Sequence, residues 1–435
     1  MPIYFADLNG WVHPADVFIS LHADDENAFW LDREIHQAER FSVIGGSANV
    51  LIDADGISLL SNQLTETPDD LELPFAFRPG LVGYLSYEGE AQFMHVDRAM
   101  VFDHDRKMMH FIGEFATQDD FEAWHHAALL RLALCGGEQA AYRLNRSALQ
   151  ATSATVRHGD KEYLQLIERA QSHIAAGDVY QLCLTNQISM DVAGDSLLTF
   201  LSLREVNPAP FAAYLRMGDT TLISCSPEQF LKVDASRKIS SKPIKGTRRR
   251  DADPAKDLEL ASDLQNDEKE RAENLMIVDL MRNDFGRVAE PDSVIVNKLF
   301  DIESYATVHQ LVSTVEAKLA SEESAATAVS AAFPGGSMTG APKVRAMQLI
   351  EELETLGVAK GRGAYSGIAG FMTHGGVADF AMTIRTIVLT GNRATIGVGG
   401  GITIDSIPLK ELEETKLKAQ ALLRALGAAD PWLSA

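Results

Sequence analysis

Segments with the hydrophobic periodicity of helices and segments with that of strands both occur along the chain, and together they predict an α+β protein. From Asp160 to Gly177 apolar residues recur every three or four positions, which is typical of an amphipathic helix that ends at a glycine. A second run of this kind begins at Pro408 and ends at Leu426, before Gly427. The pattern predicts further helices at about 119–134, 258–283 and 340–354.

Strand-like segments lie between these helices without a regular strand–helix–strand rhythm. The segments are FSVIGG, LVGYLSYE, VYQLCLTNQISM, FAAYLRM, TTLISCS, FLKVDA, SGIAGFM, AMTIRTIVL and ATIGVG. The missing rhythm favours the α+β class over a sheet built from βαβ units. A polar stretch at 144–160 predicts a linker, so we divide the chain into an N-terminal portion, 1–150, and a second portion, 151–430.

Composition narrows the class of protein and its compartment. The 435 residues are 46% apolar and 23% charged, and no apolar run approaches the roughly 18 residues that a membrane span needs. The N-terminus lacks the basic and apolar regions of a signal peptide, so we expect a cytoplasmic protein that does not enter a membrane. Three cysteines without a C-x-x-C spacing predict neither a disulfide framework nor a cysteine-rich zinc site.

The net charge of −22 limits the possible partners. It opposes nucleic-acid binding, because Lys and Arg must neutralise the phosphates. An anionic substrate would likewise need local positive charge, from Lys, Arg, helix N-termini or a metal ion.

Glu228 in SPEQF and Lys245 in PIKGT lie about one hairpin apart, so two adjacent strands would direct both side chains into one pocket. A carboxylic acid beside a lysine suits covalent substitution, in which the amine attacks carbon and the acid protonates a leaving hydroxyl. To attack, the lysine pKa must fall from about 10.4 to about 7–8, and the arginines at 248–250 or a metal ion would help. Taken alone, such a segment more often carries a surface lysine.

Two pairs of glutamates have the spacing of one helix face. Each pair is separated by three positions, and the pairs are Glu270 with Glu273 and Glu411 with Glu414. If the two helices converge, the carboxylates form an all-oxygen site, for which Mg²⁺ is the first choice. A single pair of this kind is more often a solvated helix face.

Two glycine-rich segments, FPGGSMTGAPK and GVGGGI, lack the spacings of nucleotide-binding loops. Their backbone amides could instead approach a carboxylate, although isolated segments of this kind are more often turns. Arg385, on the strand predicted from AMTIRTIVL, could bind a carboxylate with two hydrogen bonds, and Tyr365 could line the same pocket. A structural role is an equal alternative for both side chains.

Taken together, the segments SPEQF, PIKGT, RAENLMIVDLMRND, LVSTV, PGGSMTGAPK, TIRT and GGGI resemble, in this order, the chorismate-utilising enzymes. That family includes anthranilate, aminodeoxychorismate, isochorismate and salicylate synthases. The resemblance runs from about Asp160 to Leu426, and the N-terminal portion resembles the family's accessory half chiefly through LVGYLSYE. It implies two orthogonally packed antiparallel sheets surrounded by helices, with the active site in a cleft.

Two positions separate the branches of this family. Lys245 stands where the anthranilate and isochorismate branches typically have alanine, and Gln181 stands where isochorismate and salicylate synthases have a water-activating lysine. The resemblance therefore implies amination of chorismate at C4 to 4-amino-4-deoxychorismate, on the route to p-aminobenzoate and folate. Anthranilate synthase component I is the alternative, and a protein that binds chorismate without converting it is a third hypothesis.

The resemblance also implies roles for individual side chains. Lys245 is similar to the nucleophile that adds at C2 of chorismate, and Glu228 to its acid–base partner. Glu273 and Glu414 correspond to the principal Mg²⁺ ligands, while Glu270 and Glu411 reach the ion through water. The groups implied in holding the substrate carboxylates are Thr339, Tyr365, Arg385, Gly399, Gly400 and Gly401.

The chain has no G-x-C-x-G segment of a glutaminase. The resemblance therefore implies ammonia from a separate glutamine amidotransferase subunit, and free ammonia should serve as well. The family often has a histidine immediately before LVS. Here that residue is Gln310, with His309 one position earlier, so we assign no catalytic histidine.

Overall fold

The computed structural model describes residues 1–34, 40–63, 71–305, 308–355 and 361–432. The helices within these ranges, in chain order, are α1 (Pro14–His22), α2 (Gly56–Gln63), α3 (Gln118–Leu132), α4 (Glu138–Asn145), α5 (Asp160–Ala175), α6 (Ser196–Val206), α7 (Pro254–Asn266), α8 (Glu268–Gly286), α9 (Ala325–Ala332), α10 (Lys343–Glu354) and α11 (Pro408–Ala425).

The strands are numbered in the same way. They are β1 (Ile3–Leu8), β2 (Asn27–Asp32), β3 (Phe41–Gly46), β4 (Val50–Asp53), β5 (Gly80–Leu85), β6 (Ala91–Val96), β7 (Arg98–Asp103), β8 (Met108–Glu114), β9 (Gln150–Val156), β10 (Gln181–Ala193), β11 (Phe211–Met217), β12 (Thr220–Ser226), β13 (Gln229–Val233), β14 (Lys238–Lys242), β15 (Ile244–Arg249), β16 (Ile295–Ser304), β17 (Val308–Lys318), β18 (Gly340–Ala341), β19 (Ile368–Thr373), β20 (Ala378–Met382), β21 (Thr386–Thr390) and β22 (Arg393–Ile402).

These strands form two antiparallel sheets. The first has the order β1-β8-β7-β3-β2-β11-β12-β21-β22-β10-β18, with β9 also paired to β10. The second has the order β15-β17-β14-β13-β20-β19-β5-β6-β4, with β16 also paired to β17. The predicted α+β class with two antiparallel sheets is confirmed. Both sheets take strands from before and after residue 150, so the predicted boundary does not separate one sheet from the other.

The predicted helices α5 and α11 begin at the expected residues, but the helix predicted at 258–283 is two helices, α7 and α8. The break lies at Asp267, whose backbone is extended and whose carboxylate accepts a hydrogen bond from the amide of Glu270. A carboxylate in this position caps the first turn of a helix. The cap therefore fixes where α8 begins, and with it the glutamates of its first turns.

The strand predicted from AMTIRTIVL is also interrupted. The segment contributes Ala378–Met382 to the second sheet and Thr386–Thr390 to the first, so the chain changes sheets between them. Arg385, at this crossing, has a φ of 50°, which an extended strand does not allow. The prediction that Arg385 lies on a strand is therefore wrong, because the alternating pattern continues across the break.

The segments that carry Glu228 and Lys245 lie close together in the second sheet. β13 and β14 form a hairpin that pairs Gln229 with Lys242. β14 and β15 then pair with successive parts of β17, with Pro243 between them. Proline cannot donate to a neighbouring strand, so it suits this interruption. Lys245 thus follows the hairpin directly. Its strand, β15, pairs with β17 and not with β13, and Glu228 lies just before β13, so the prediction that two adjacent strands carry these residues is wrong.

Helix α8 lies against β17 in the second sheet. Its buried apolar side chains follow the helical period and are Ile277, Val278, Met281 and Phe285. Glu273 and Asn274 are buried on the preceding turn, so the apolar face ends in polar groups at the N-terminal end of the helix. No helix in the described part of the chain combines the length and hydropathy of a membrane-spanning segment.

Candidate active site

The two glutamate pairs meet at one end of β22. Glu270 and Glu273 lie on the first turns of α8, and Glu411 and Glu414 lie on the first turns of α11. Glu273 and Glu411 are only 7% and 5% exposed. Buried carboxylates are rare without a partner, so this end of the strand is a site built for positive charge.

Lysine side chains hold these carboxylates together. The Lys269 Nζ lies 3.1 Å from Oε1 of Glu411 and 3.7 Å from Oε1 of Glu273, so one ammonium bridges the two helices. Lys418 pairs with Glu414 at 2.8 Å and donates to the carbonyl of Gly399 at 2.9 Å. The side chain of Lys269 is 48% exposed and could move away if another cation took its place.

The pKa values reflect this crowding of negative charge. Burial and the neighbouring carboxylate of Glu273 raise the pKa of Glu270. Burial also opposes the charged form of Glu414, but the ammonium of Lys418 outweighs it and lowers the pKa of that carboxyl. The two pKa values shift in opposite directions because Glu414 is in contact with a lysine, whereas the strongest neighbour of Glu270 is another carboxylate.

The donor set fits a hard divalent cation. All four side chains offer carboxylate oxygen, the ligand that Mg²⁺ prefers, and the ammonium of Lys269 stands in for the positive charge between the helices. Among the described residues, no three His, Cys, Asp or Glu side chains are grouped closely enough to hold a metal ion as they stand. An ion would therefore require the lysines to give way.

Lys245 lies beside the same carboxylates. Its side chain is 14% exposed, and its Nζ is 3.9 Å from Oε2 of Glu273. Burial favours the neutral amine, but the carboxylates of Glu273 and Glu228 outweigh it, and the pKa of Lys245 is raised. That direction is opposite to the lowering that we expected for an attacking amine.

Two of the three arginines that were expected to lower this pKa are bound to acidic partners, and the third, Arg249, is exposed. Arg248 donates to Asp263 at 3.0 Å and to Asp267 at 2.9 Å. Arg250 donates to both carboxylate oxygens of Asp257, with a shortest distance of 2.6 Å. Their charge is neutralised by these acidic partners, so Lys245 has carboxylates rather than cations as its nearest charges.

Glu228 is buried at the junction of β12 and β13, with 6% of the residue exposed. Burial raises its pKa to about 7, against the opposing effects of Lys245, the Ser337 hydroxyl and the Ile244 amide. A carboxyl with this pKa can hold or release a proton near neutral pH. Glu228 therefore has the properties of a general acid, next to a lysine.

One edge of β22 is open beside these groups. Pairing of β22 with β21 stops at Ile396, while pairing with β10 continues to Ile402. On β10 the amide of Cys183 donates to Thr339 and that of Thr185 donates to Glu354, away from β22. In an antiparallel pair, the residues opposite such positions direct their own amides outward.

Those opposite residues are Gly401 and Gly399. Their amides face the open edge and are available to an anion. Gly400, opposite Leu184, lies between them along the strand, so its amide points to β10 and bonds to that strand. Of the three glycines predicted to hold a carboxylate, the geometry thus favours the amides of Gly399 and Gly401.

Arg385 stands where this edge opens. It immediately precedes β21, whose pairing with β22 begins at Ile387 and Ile396. Burial lowers the pKa of its guanidinium, and no carboxylate of the described residues lies close enough to form an ion pair with it. A half-buried cation without an acidic partner is a binding group for an anion.

The other two predicted carboxylate contacts differ from each other. The ring of Tyr365 packs on Gly397, where a methyl group would lie 2.0 Å from the ring. Burial raises the pKa of this phenol well above its usual value. Thr339 is fully buried, and its hydroxyl donates to the carbonyls of Gly335 and Gly336 at 3.2 and 3.3 Å. Its side chain is therefore occupied within its own loop.

Sequence reasoning missed a buried ion pair below the pocket. Arg362 donates two hydrogen bonds to Glu354, at 2.9 and 2.6 Å, and others to the carbonyls of Met338 and Cys183. Glu354 also accepts from Thr185. The network ties α10 to β10 and the PGGSMTG loop. One feature of the sequence could have indicated this network: Glu354 lies four residues after Ile350, on the buried face of α10.

His309 lies away from these groups, bonded to Ser304 at 2.7 Å and to Asp257 at 3.0 Å. Gln310 is buried, and its Oε1 has no hydrogen-bond partner in the described part of the chain.

Comparisons with known proteins agree with this geometry. Residues 22–424 match the family described as chorismate binding enzyme. The chain is 41% identical to the aminodeoxychorismate synthase of Streptomyces griseus, over 95% of this chain and 63% of that protein. It is 36% identical to the aminodeoxychorismate synthase component 1 of Klebsiella aerogenes, over 86% of this chain and 83% of that protein.

Among solved structures, anthranilate synthase component I from Streptococcus pneumoniae TIGR4 superimposes with a TM-score of 0.76 at 30% identity. The match covers 88% of this chain and 92% of that chain. The chain spans less than two thirds of the Streptomyces griseus relative, so the activity of that whole protein does not transfer to it directly.

Proposed function

The chain belongs to the chorismate-binding enzyme family, and we propose that it aminates chorismate at C4 to give 4-amino-4-deoxychorismate, a precursor of p-aminobenzoate and folate. One observation carries the choice of reaction within the family: the amine of Lys245, whose side chain is 14% exposed, lies 3.9 Å from Glu273 inside the carboxylate pocket. The named relatives with aminodeoxychorismate synthase activity support the same branch.

The proposed chemistry uses Lys245 and Glu228 in two steps. The neutral amine of Lys245 forms a bond to C2 of the ring, both conjugated ring double bonds shift, and the C4–O bond breaks. Glu228 supplies the proton with which the hydroxyl leaves as water, and its carboxylate takes up the proton that the new secondary amine loses. Ammonia then bonds to C4, both double bonds shift back, and the amine of Lys245 leaves C2 with the proton that Glu228 holds. The carboxylate of Glu228 takes up the proton that the new ammonium group loses.

The substrate is an anion, and we propose two kinds of group to bind it. The unpaired guanidinium of Arg385 and the outward amides of Gly399 and Gly401 bind a carboxylate at the open edge of β22. Tyr365 forms part of the wall on the same side of the strand, through its packing on Gly397.

Mg²⁺ is the proposed cofactor. The side chains that would hold it are Glu270, Glu273, Glu411 and Glu414. When bound, the ion would supply positive charge that offsets the negative charge of the substrate carboxylate and of the glutamates. Since those glutamates raise the pKa of Lys245, the same positive charge would favour its neutral amine.

We propose that ammonia comes from a separate glutamine amidotransferase subunit. The Klebsiella aerogenes relative is named as component 1 of its enzyme, which supports a second component there. Free ammonium salts should replace the partner in solution, because the amination pocket lies on this chain.

Mass spectrometry of the product tests this function. Purified chain, chorismate, Mg²⁺ and ammonium chloride should yield 4-amino-4-deoxychorismate, which retains the pyruvyl group. Lys245→Ala should lower turnover about 100-fold or more while chorismate still binds. Lys242→Ala, a nearby lysine whose side chain is 39% exposed and paired with Glu303, is the matched control and should keep normal turnover.

Fluorescent anthranilate as the product of the unaltered chain would instead support the alternative, anthranilate synthase component I. Binding of chorismate without any product would support a silent binding protein. Unchanged turnover in Lys245→Ala would exclude the covalent mechanism.

A further inference from the structure

Lys269, in the first turn of α8, occupies a position where helix formation does not favour a lysine. The helix begins directly after its cap at Asp267, and the amide end of a helix repels positive charge. Lys269 also precedes its partner Glu273 by four residues, and this order stabilises a helix less than the reverse order does. Local helix stability therefore does not account for this lysine, which leaves its contact with α11 as the explanation.

The contact with α11 is made to Glu411. The Nζ of Lys269 lies 3.1 Å from Oε1 of Glu411, an oxygen that also accepts a hydrogen bond from Ser406 at 2.8 Å. The same Nζ is 3.7 Å from Oε1 of Glu273. Both glutamates are buried, and a buried carboxylate needs a positive partner. One ammonium thus serves two buried carboxylates that come from separate helices.

Of the three lysines beside the glutamates, Lys269 is the one that can leave most easily. Its side chain is 48% exposed, compared with 14% for Lys245 and 35% for Lys418. Lys418 is also held by the carbonyl of Gly399, at 2.9 Å. A lysine ammonium is strongly hydrated and its stem is flexible, so a half-exposed one can exchange a carboxylate for water. A doubly charged ion is attracted to the same carboxylates more strongly than a single charge.

We propose that Lys269 is an internal competitor of the divalent ion. Its ammonium neutralises Glu273 and Glu411 until Mg²⁺ binds, and the side chain then turns out into solvent. The inference rests on the proposed function, because it takes the four glutamates as the metal site. Lys269 thereby sets the affinity of the site for Mg²⁺, and the two buried carboxylates have a positive partner both before and after the ion binds.

Isothermal titration calorimetry with MgCl₂ and no substrate tests the proposal. Lys269→Met keeps an unbranched apolar stem and removes the charge. We expect the Kd for Mg²⁺ to fall about tenfold, because the ion no longer has to displace an ammonium from two partly exposed ion pairs. Lys410→Met, at an exposed position of α11 next to Glu411, is the matched control for the loss of a nearby positive charge and should change the Kd less than twofold.

A second measurement tests the role of Lys269 before the ion binds. In EDTA the thermal midpoint of Lys269→Met should be about 2 °C lower than that of the unaltered chain, because two buried carboxylates lose their positive partner. Saturating MgCl₂ should remove most of this difference, since the ion then supplies the charge in both chains. If Lys269→Met does not fold, Lys269→Gln takes its place.

A tighter affinity for Mg²⁺ in Lys269→Met cannot come from damage to the pocket, because damage would weaken binding. The proposal is overturned if the affinity is unchanged or weaker in Lys269→Met, or if it rises equally in Lys410→Met. Binding of Mg²⁺ by neither chain would overturn it together with the metal site. Failure of the unaltered chain to aminate chorismate would refute the proposed reaction alone, because the titrations contain no substrate.

Discussion

Replacing Glu228 by glutamine should remove activity and, above neutral pH, make the protein more stable. The carboxyl is 6% exposed, and burial raises its pKa to about 7 from the ordinary value of 4.5. The folded chain therefore binds a proton at Glu228 over a pH range in which the unfolded chain has released it. Stability must fall as pH rises through that range, because the unfolded state is then the better acid.

The magnitude follows from the difference between the two pKa values. The shift from 4.5 to about 7 is worth about 3 kcal/mol when fully expressed, at 1.36 kcal/mol per pKa unit. Part of this penalty is already present at pH 5. The free energy of unfolding of the unaltered chain should thus lose about 2–3 kcal/mol between pH 5 and pH 8 through this group. Glutamine resembles the protonated carboxyl and carries no such penalty.

Urea unfolding at pH 5, 6, 7 and 8 in the presence of EDTA measures this effect. Glu228→Gln should exceed the unaltered chain by less than about 1 kcal/mol near pH 5 and by about 3 kcal/mol at pH 8. Glu413→Gln, at an exposed position of α11, is the control and should follow the unaltered chain at every pH. Parallel curves for Glu228→Gln and the unaltered chain would show that the carboxyl is not held protonated, and its assignment as the acid would fail.

Three further changes test the pocket and its support. Arg362→Met should lower the free energy of unfolding by about 3–5 kcal/mol in urea, because it leaves the buried carboxylate of Glu354 without its partner. Arg393→Met, at an exposed ion pair, is the control and should lower it by less than about 0.5 kcal/mol. Gly399→Ala should lower the thermal midpoint clearly, since its methyl group would lie 2.3 Å from a β10 carbonyl, while Gly400→Ala, whose nearest atom is at 3.5 Å, should leave it almost unchanged. Glu411→Gln should weaken Mg²⁺ binding about 10-fold to 100-fold in isothermal titration calorimetry, and an unchanged affinity would contradict the metal site.

The elements that the sequence predicted correctly are those in which local pattern and tertiary packing agree. Helices α5 and α11 begin where their apolar patterns begin, at Asp160 and Pro408. The alternating pattern gave a wrong strand where the chain passes from one sheet to the other and its apolar residues continue across the crossing. The run around Arg385 reads as one strand, because each half alternates correctly and the crossing to the other sheet adds no polar signal.

The sequence predicted which residue types form the candidate site, but it did not predict which charged side chains pair with one another. The spacing of the glutamates placed Glu273 and Glu411 on helix faces, and the structure brings those helices together through Lys269. The expected cationic help from Arg248 was wrong, because Asp263 and Asp267 neutralise it. Such pairings join residues from separate elements, and single-sequence periodicity carries no information about them.

We propose that the distribution of charge around β22 lets an acidic chain bind an anion. At the end of the strand near Gly401, four carboxylates, two of them buried, lie beside three lysines, so that end attracts a cation. At the start of the open edge, Arg385 has no acidic partner among the described residues, so that end attracts an anion. A ligand with two carboxylates can satisfy both ends at once, one through a cation shared with the glutamates and one through the guanidinium. The net charge of −22 is then no obstacle, because what the ligand encounters is set by groups within a few ångströms, and more distant surface charge is screened by salt.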